Sequence, residues 1–164
     1  MIDKYIKTYG KRLYGFCLTL CADTFEADDL YQETWLKALK HFLQYDNTKD
    51  FEPWITKICV NTYRNALKSK ARSRLVEFQD NEEKEAFMQS IPTTAKEDNL
   101  PLYEAIERLP QKLRLAVILF YFRDMDIAST AKVLDIPAGT VKSRLNKARK
   151  RLKEVLTDET DIRF

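Results

Sequence analysis

The last third of the chain carries a block of positive charge at helical spacing. From Lys142 to Lys153 the sequence contains seven lysines and arginines and no acidic residue. Val141, Leu145, Ala148 and Leu152 recur at the interval of one helix face, so that face can be buried while the cations face solvent. A merely solvated helix normally intersperses Glu among its Lys. The pattern therefore indicates a helix that binds a polyanion, and DNA fits such a helix best.

The residues before this block supply the remainder of a DNA-binding motif. A short helix is predicted after Asp126, which can cap it, and Pro137-Ala138-Gly139-Thr140 leads through a turn into the basic helix. A basic helix that follows a shorter helix and a tight turn is typical of a helix-turn-helix. Lysine and arginine can bind guanine, asparagine can bind adenine, and the free N–H groups of the first turn suit a phosphate. The side chains predicted to meet the DNA are Thr140, Lys142, Ser143, Arg144, Asn146, Lys147 and Arg149.

A second set of polar side chains follows one stripe of a helix near the middle of the chain. The stripe consists of three cations and one amide at intervals of four, three and four residues, with aromatic residues close by in sequence. Cations can follow the phosphates of a single strand, rings can stack on bases, and an amide can hydrogen-bond a base edge. The alternative is that the rings belong to the core and the cations are solvated. The candidate single-strand site comprises Tyr45, Phe51, Trp54, Lys57, Asn61, Arg64 and Lys68.

The helix that begins near Asp23 offers a third surface, on the side away from its apolar face. An exposed leucine beside two acids suggests a protein docking site. An ordinary solvated helix gives a similar pattern, so the residues alone leave both interpretations open. The side chains concerned are Asp29, Gln32, Glu33 and Leu36.

The elements that must position these three surfaces are all predicted to be helices. The chain has only 3 glycines, and no segment alternates apolar and polar residues as a strand does. Helices are predicted over Ile2–Leu20, from near Asp23, from about Asp50 and over Gln111–Phe122, followed by the helix-turn-helix. Residues 75–99 are acidic and lack a sustained period, which is typical of a flexible linker. The predicted organisation is a helical domain over 1–74, this linker, and a helix-turn-helix domain over 100–164.

Composition argues against several classes of protein. The chain of 164 residues has one histidine, no glycine-rich phosphate loop and no paired-histidine metal motif, so enzyme chemistry has little support. Its three cysteines fall in apolar stripes, which predicts small core residues in a reduced, cytoplasmic protein. A metal held by these cysteines and His41 is a weak alternative, because the spacing of true zinc sites is missing. We expect no cofactor and no small-molecule substrate.

Four segments, in this order, resemble the extracytoplasmic-function group of bacterial sigma factors. Residues 26–35 (E-A-D-D-L-Y-Q-E-T-W) resemble that family's D-A-E-D-L-x-Q-E-T-F segment, and residues 51–61 (F-E-P-W-I-T-K-I-C-V-N) resemble F-x-x-W-L-x-x-I-A-x-N. Residues 109–116 (L-P-Q-K-L-R-L-A) resemble L-P-x-x-x-R-x-A, and residues 136–145 (I-P-A-G-T-V-K-S-R-L) resemble I-P-x-G-T-V-K-S-R-L. The chain departs from the pattern at Asp135, where the turn usually has glycine.

The resemblance implies a role for each surface in transcription initiation. The helix with Asp29 and Leu36 would dock on the clamp helices of core RNA polymerase. The single-strand site, with Asn61 as its closest match, would capture an unpaired base of the −10 promoter element, and the basic helix would bind the duplex −35 element. The linker would thread through the polymerase. The regulon would be a stress or envelope response, and a membrane-associated anti-sigma factor would hold the protein inactive.

Two other classes of protein remain as alternatives. A conventional helix-turn-helix activator shares the G-T-V-K-S-R-L phrase, but it predicts a receiver or ligand-binding domain upstream, and residues 1–72 show no alternation of strands and helices. A helical adaptor that never touches DNA is disfavoured by the two basic stripes. Retention on heparin that requires residues 142–153 would separate the adaptor from a DNA-binding protein.

Overall fold

The computed structural model describes residues 1–21, 23–77 and 100–159, and these ranges contain helices and turns but no strand. The all-α class predicted from the sequence is therefore confirmed. The chain divides into two compact units, Met1–Thr93 and Thr94–Phe164. The elements are α1 (Ile2–Leu20), α2 (Thr24–His41), one 3-10 turn (Phe42–Gln44), α3 (Phe51–Glu77), α4 (Leu100–Glu107), α5 (Gln111–Val117), a π-helical segment (Ile118–Phe122), α6 (Ile127–Leu134) and α7 (Ala138–Glu159).

The N-terminal unit is a bundle of α1, α2 and α3, each of which buries one stripe. Leu13 of α1, Ala27 of α2 and Ile55 of α3 have no exposed surface. The predicted start of α2 is confirmed, because Asp23 accepts a hydrogen bond of 2.7 Å from the Glu26 backbone N–H and so caps the helix. The third helix continues to Glu77, three residues into the predicted linker, and the remainder of that linker lies outside the described residues.

Two of the three cysteines pack in this core, as predicted. Cys17 and Cys59 are fully buried with their Sγ atoms 3.8 Å apart, whereas Cys21 is only half-buried. Among the residues described, no group of three His, Cys, Asp or Glu side chains is arranged to hold a metal ion.

The C-terminal unit contains the predicted helix-turn-helix. Asp126 caps α6 by accepting a hydrogen bond of 2.7 Å from the Ser129 backbone N–H, which holds the pKa of this carboxyl below its usual value. Asp135 ends α6 in the left-handed conformation, with φ of 55° and ψ of 46°, where a glycine is usual. Aspartate tolerates this conformation better than most residues. Val141, Leu145 and Ala148 then bury one face of α7, as their spacing predicts.

The helix predicted over Gln111–Phe122 changes character at its C-terminal end. Its last five residues form the π-helical segment, and the Arg123 backbone N–H donates to the Ile118 carbonyl five residues earlier, at 3.0 Å. Such wider turns place side chains where a regular α-helix would not, and they are frequent at functional sites. None of the helices described here is long and apolar enough to cross a lipid bilayer.

Two glycines of α1 give a matched test of the α1–α2 packing. A Cβ on Gly10 would lie 2.9 Å from the Tyr31 hydroxyl oxygen, whereas a Cβ on Gly15 would meet nothing within 4 Å. Gly15→Ala should raise the free energy of unfolding of the N-terminal unit by about 0.5–1 kcal/mol, the usual gain inside a helix. Gly10→Ala should lose that gain, because the Tyr31 hydroxyl must move.

Urea unfolding followed by tryptophan fluorescence measures this difference, because both tryptophans of the chain, Trp35 and Trp54, belong to the N-terminal unit. Removing the hydroxyl in the double variant Gly10→Ala/Tyr31→Phe should restore the gain. Equal effects of Gly10→Ala and Gly15→Ala would show that the contact with Tyr31 does not limit the packing.

Candidate interfaces for protein and nucleic acid

The outer face of α2 holds the predicted docking residues together. Asp29, Gln32, Glu33 and Leu36 are all exposed on this helix, and Leu36 is 62 % exposed. The structure adds three apolar side chains that the sequence analysis missed: Phe25 at 81 %, Leu39 at 57 % and Leu43 at 98 % exposure. We call Phe25, Leu36, Leu39 and Leu43 the apolar stripe of α2, with Leu43 lying in the 3-10 turn that follows the helix.

The apolar stripe of α2 gathers most of the exposed apolar side chains of its unit. In the described part of the N-terminal unit, every exposed large hydrophobic side chain except Met1 belongs to it. Exposed apolar side chains scattered singly are normal, whereas several on one face are typical of a site of association. The interval from Leu36 to Leu39 and Leu43, three and then four residues, was the sequence signal that could have revealed it.

Beside this face, α2 and α3 enclose a groove of about 350 Å³ with an acidic wall. Asp29 and Glu33 line it from α2, while an ion pair between Glu26 and Lys70 joins the two helices across it. Lys37 lies 4.0 Å from a Glu33 carboxylate oxygen, one helical turn away. Two acids beside an apolar stripe complement a partner surface that is basic and apolar.

A cluster of aromatic rings joins α1, α2, α3 and the loop before α3. The Phe51 ring lies at its centre, 2 % exposed, with ring centroids 4.4 Å from Tyr5, 5.0 Å from Tyr9 and 6.1 Å from Trp35. This burial corrects the expectation that Phe51 would contact nucleic acid, because so little of its surface is accessible to a base. Phe51 is buried because it packs against α1, and the local sequence does not reveal this contact.

The outer layer of this cluster is accessible. Tyr45 and Trp54 are half-buried, with centroids 4.9 Å apart, and both contact Phe51. Burial, helped by the nearby Tyr5 and Tyr9, raises the pKa of the Tyr45 phenol above its usual value. Two neutral rings backed by a rigid core provide a surface on which bases can stack.

The loop that presents Tyr45 is ordered by its own hydrogen bonds. The Tyr45 hydroxyl donates to the Lys49 carbonyl at 2.5 Å. Asp46 Oδ1 accepts from the Thr48 backbone N–H at 3.0 Å and from the Thr48 hydroxyl at 2.6 Å, and these bonds lower the pKa of Asp46. A loop that is already ordered loses less conformational entropy when it binds a ligand.

The polar stripe of α3 continues from this aromatic layer. Trp54, Lys57, Asn61, Arg64 and Lys68 follow one another at intervals of three and four residues, which places them on one side of the helix. Asn61 and Lys68 are exposed, whereas Lys57 and Arg64 are half-buried. The structure thus places the predicted single-strand residues on α3 and the loop before it, and all of them except Phe51 are at least partly exposed.

The exposed face of α7 presents most of the predicted DNA-contacting side chains to solvent. Lys142, Ser143, Asn146, Lys147 and Arg149 are exposed, while Thr140 and Arg144 are half-buried. Within this set, the Arg149 side chain makes two hydrogen bonds to other side chains of the protein. Its Nε donates to the Tyr121 hydroxyl at 2.7 Å, and its Nη1 donates to Asn146 Oδ1 at 3.0 Å. Tyr121, on the π-helical segment, was not identified from the sequence, because no local pattern links it to α7.

An apolar groove of about 610 Å³ lies beside Arg149, between α4, the π-helical segment and α7. Arg149 and Lys153 line it together with apolar side chains of all three elements. Tyr121 and Phe122 are 49 % and 42 % exposed and are the exposed large hydrophobic residues in the described part of this unit. The C-terminal unit therefore has an apolar surface beside its basic one.

Comparison with known proteins agrees with this division into two units. The model of sigma-70 region 2 matches residues 5–73, and that of sigma-70 region 4 matches residues 99–152. The chain is 30 % identical over 144 residues to the ECF RNA polymerase sigma factor EcfG of Rhodopseudomonas palustris, covering 88 % of this chain and 78 % of that protein. It is 27 % identical over 154 residues to the ECF sigma factor SigM of Bacillus subtilis, covering 93 % of each chain.

The fold is also similar to that of a solved structure. The sigma factor RpoE of Bartonella quintana, crystallised with the anti-sigma factor NepR, aligns with a TM-score of 0.71 and 24 % identity. The alignment covers 96 % of this chain and 98 % of that one. This similarity supports the all-helical fold.

The burial of Phe51 predicts a stability defect from its truncation. Phe51→Ala should lower the free energy of unfolding of the N-terminal unit by about 3–5 kcal/mol, because it leaves a cavity among the surrounding rings. Trp54→Ala should cost less, because that side chain is already half-exposed. Urea unfolding of the full chain, followed by circular dichroism, measures both. An unchanged free energy of unfolding for Phe51→Ala would show that the Phe51 ring does not stabilise the core.

Proposed function

We propose a role for each surface of this chain, which belongs to the extracytoplasmic-function group of the sigma-70 family. As a sigma factor it binds core RNA polymerase and directs it to promoter DNA. The observation that carries the proposal is the match of two sigma-70 regions, in order, to the two compact units. The same match leaves a conventional helix-turn-helix activator and an adaptor that never touches DNA without support.

The outer face of α2 is proposed to dock on the clamp helices of the polymerase. The residues predicted from the sequence, Asp29, Gln32, Glu33 and Leu36, supply charge, hydrogen bonds and one apolar contact. We add Phe25, Leu39 and Leu43, because the apolar stripe of α2 needs a partner to remove it from water. Burial of apolar area supplies most of the affinity of such an interface, and the acids fix its orientation.

The aromatic layer and the polar stripe of α3 are proposed to hold the separated strand of the −10 element. Tyr45 and Trp54 would stack on bases, Asn61 would hydrogen-bond a base edge, and Lys57, Arg64 and Lys68 would follow the phosphates. Support comes from the ordered loop and from the continuity of rings and cations on one side of α3. Phe51 is proposed to support the stacking rings from behind.

The exposed face of α7 is proposed to bind the −35 element in the major groove. Lys142, Ser143, Asn146 and Lys147 face solvent, and Arg149 lies beside them. The free N–H groups near Thr140 suit a phosphate at the groove edge, and Arg144 can reach the backbone. The enclosed opposite face of α7, with Val141 and Leu145 buried, keeps this helix rigid.

We also propose that an anti-sigma factor inhibits this chain, and that this inhibitor is membrane-associated. The related RpoE was crystallised with the anti-sigma factor NepR. The apolar stripe of α2 offers an inhibitor the same apolar area that it offers the polymerase. A factor that binds chromosomal promoters acts in the cytoplasm, and a stress or envelope-response regulon is proposed from the family resemblance alone.

Charge reversal on α2 tests the docking role. Asp29→Lys/Glu33→Lys should abolish assembly with core polymerase, because attraction becomes like-charge repulsion at a close interface. The two residues are exposed, so circular dichroism should remain helical. Asp3→Lys, which reverses an exposed acid on α1, is the matched control and should assemble normally. Gel filtration with core polymerase gives the result, and a double variant that still assembles would refute the docking role.

Substitution on α3 tests the single-strand role. Lys57→Ala/Asn61→Ala should leave assembly with polymerase intact but reduce promoter opening, because the stripe would no longer hold the unpaired strand. Permanganate footprinting of thymines in the −10 region measures the opening directly. Asn65→Ala removes an exposed amide that lines the groove between α2 and α3, and it should open the promoter normally. Unchanged opening by the double variant would exclude the proposed role of the stripe.

A further inference from the structure

We propose that Tyr121 is a positioning residue for recognition of the −35 element. Through Arg149 it turns the side-chain amide of Asn146 so that the NH₂ group, and not the oxygen, is presented to the DNA. The proposal rests on the proposed function of α7 as the helix that binds the −35 duplex. It adds a residue from outside α7 to the determinants of base preference.

The three side chains form a chain of hydrogen bonds between two elements. Arg149 Nε donates to the Tyr121 hydroxyl at 2.7 Å, and Arg149 Nη1 donates to Asn146 Oδ1 at 3.0 Å. Asn146 lies three residues before Arg149 on α7, whereas Tyr121 lies on the π-helical segment. One guanidinium therefore holds groups on two elements with two of its N–H groups.

The donor-only chemistry of arginine fixes the orientation of the amide. A guanidinium has N–H donors and no acceptor, so an asparagine that bonds to it must offer its oxygen. The NH₂ group is bonded to the same carbon as that oxygen and points in a different direction, so the guanidinium does not occupy it. Asn146, which is exposed, thus has its two donor hydrogens left for a ligand.

The available edge of Asn146 determines which base it suits. Asparagine recognises adenine by donating to N7 while accepting from the N6 amino group, which needs both ends of the amide. Arg149 occupies one of the two lone pairs of the Asn146 oxygen and turns that oxygen toward itself, so the NH₂ group is the end left to meet the DNA. Two donor hydrogens suit a base edge that carries acceptors alone. Guanine presents the N7 and O6 acceptors in the major groove. The arrangement therefore favours guanine over adenine at the position that Asn146 contacts.

Tyr121 can act as the anchor because its segment is fixed by the core. Val117, Ile118 and Leu119, just before it, are buried, and the Phe120 ring contacts the Tyr121 ring edge-on with centroids 5.0 Å apart. The Arg149 guanidinium carbon lies 5.6 Å from the centroid of the Tyr121 ring. The guanidinium thus also lies over the ring. Tyr121→Phe removes the hydroxyl acceptor while it keeps the ring and this contact with it.

Selection of −35 sequences tests the proposal on the assembled holoenzyme. Full-length variants are assembled with core RNA polymerase and offered a duplex promoter library in which the −35 region is randomised, and the retained DNA is sequenced. The variants are wild type, Tyr121→Phe, Asn146→Ala, the two combined, and Tyr103→Phe. Tyr103 is the matched control, because it lies in the same unit and its ring contacts Phe122, at 5.8 Å between centroids. The position read by Asn146 is the one at which Asn146→Ala loses base preference.

We expect wild type to prefer guanine over adenine at that position and Tyr121→Phe to lower this ratio by about fivefold or more, the size of a base-specific contact. Tyr103→Phe should retain the wild-type ratio. In the Asn146→Ala background Tyr121→Phe should have no further effect, because the two residues act in one chain. A purely structural role of Tyr121 would lower thermal stability without changing the ratio.

An unchanged ratio in folded Tyr121→Phe overturns the proposal, and so does unchanged base preference in Asn146→Ala. If Tyr121→Phe does not fold, Arg149→Lys decides, since a lysine cannot reproduce the fixed fork of two N–H donors. The ratio should then fall as for Tyr121→Phe, and a wild-type ratio overturns the proposal. If wild-type holoenzyme enriches no −35 sequence, the proposed function of α7 fails as well, and this outcome is distinct from the others.

Discussion

The N-terminal unit depends on the burial of one ring, that of Phe51, at the first residue of α3. This ring packs between the tyrosines of α1, Trp35 of α2 and the rings of Tyr45 and Trp54. Close-packed interiors transmit displacement, because they have few voids to absorb it. The helix assigned to the polymerase and the loop assigned to the DNA thus share a core contact, and neither can shift far without disturbing the other.

Much of the architecture could be predicted because its signals are local. The extent of α1 and the two aspartate caps, at Asp23 and Asp126, follow from helical periodicity and from the backbone donors that a cap satisfies. The left-handed turn at Asp135 agrees with the family resemblance, because glycine is usual at that position. The accessible residues on α2, α3 and α7 were identified because the face opposite a buried stripe must be the exposed one.

The features that escaped prediction all depend on contacts between distant segments. Phe51 has an aromatic neighbourhood in sequence that suits a binding surface, and only the packing of α1 against it shows that it is core. The π-helical segment has an ordinary apolar sequence, so the wider turns were not apparent. Tyr121 lies 28 residues from Arg149, and no periodicity connects residues on different elements. The apolar stripe of α2 could in principle be recognised from its spacing. Phe25, Leu39 and Leu43 are, however, residue types that are usually buried, so the sequence did not mark them as exposed.

The apolar stripe of α2 also affects how the chain behaves when it is present in excess over its partners. A surface that exposes Leu43 at 98 % and Phe25 at 81 % favours self-association and capture by chaperones and proteases whenever no partner covers it. Copies of the chain whose stripe no partner covers are therefore the ones most open to such capture. An excess of the chain over its partners thus carries a tendency to aggregate that the covered form does not have.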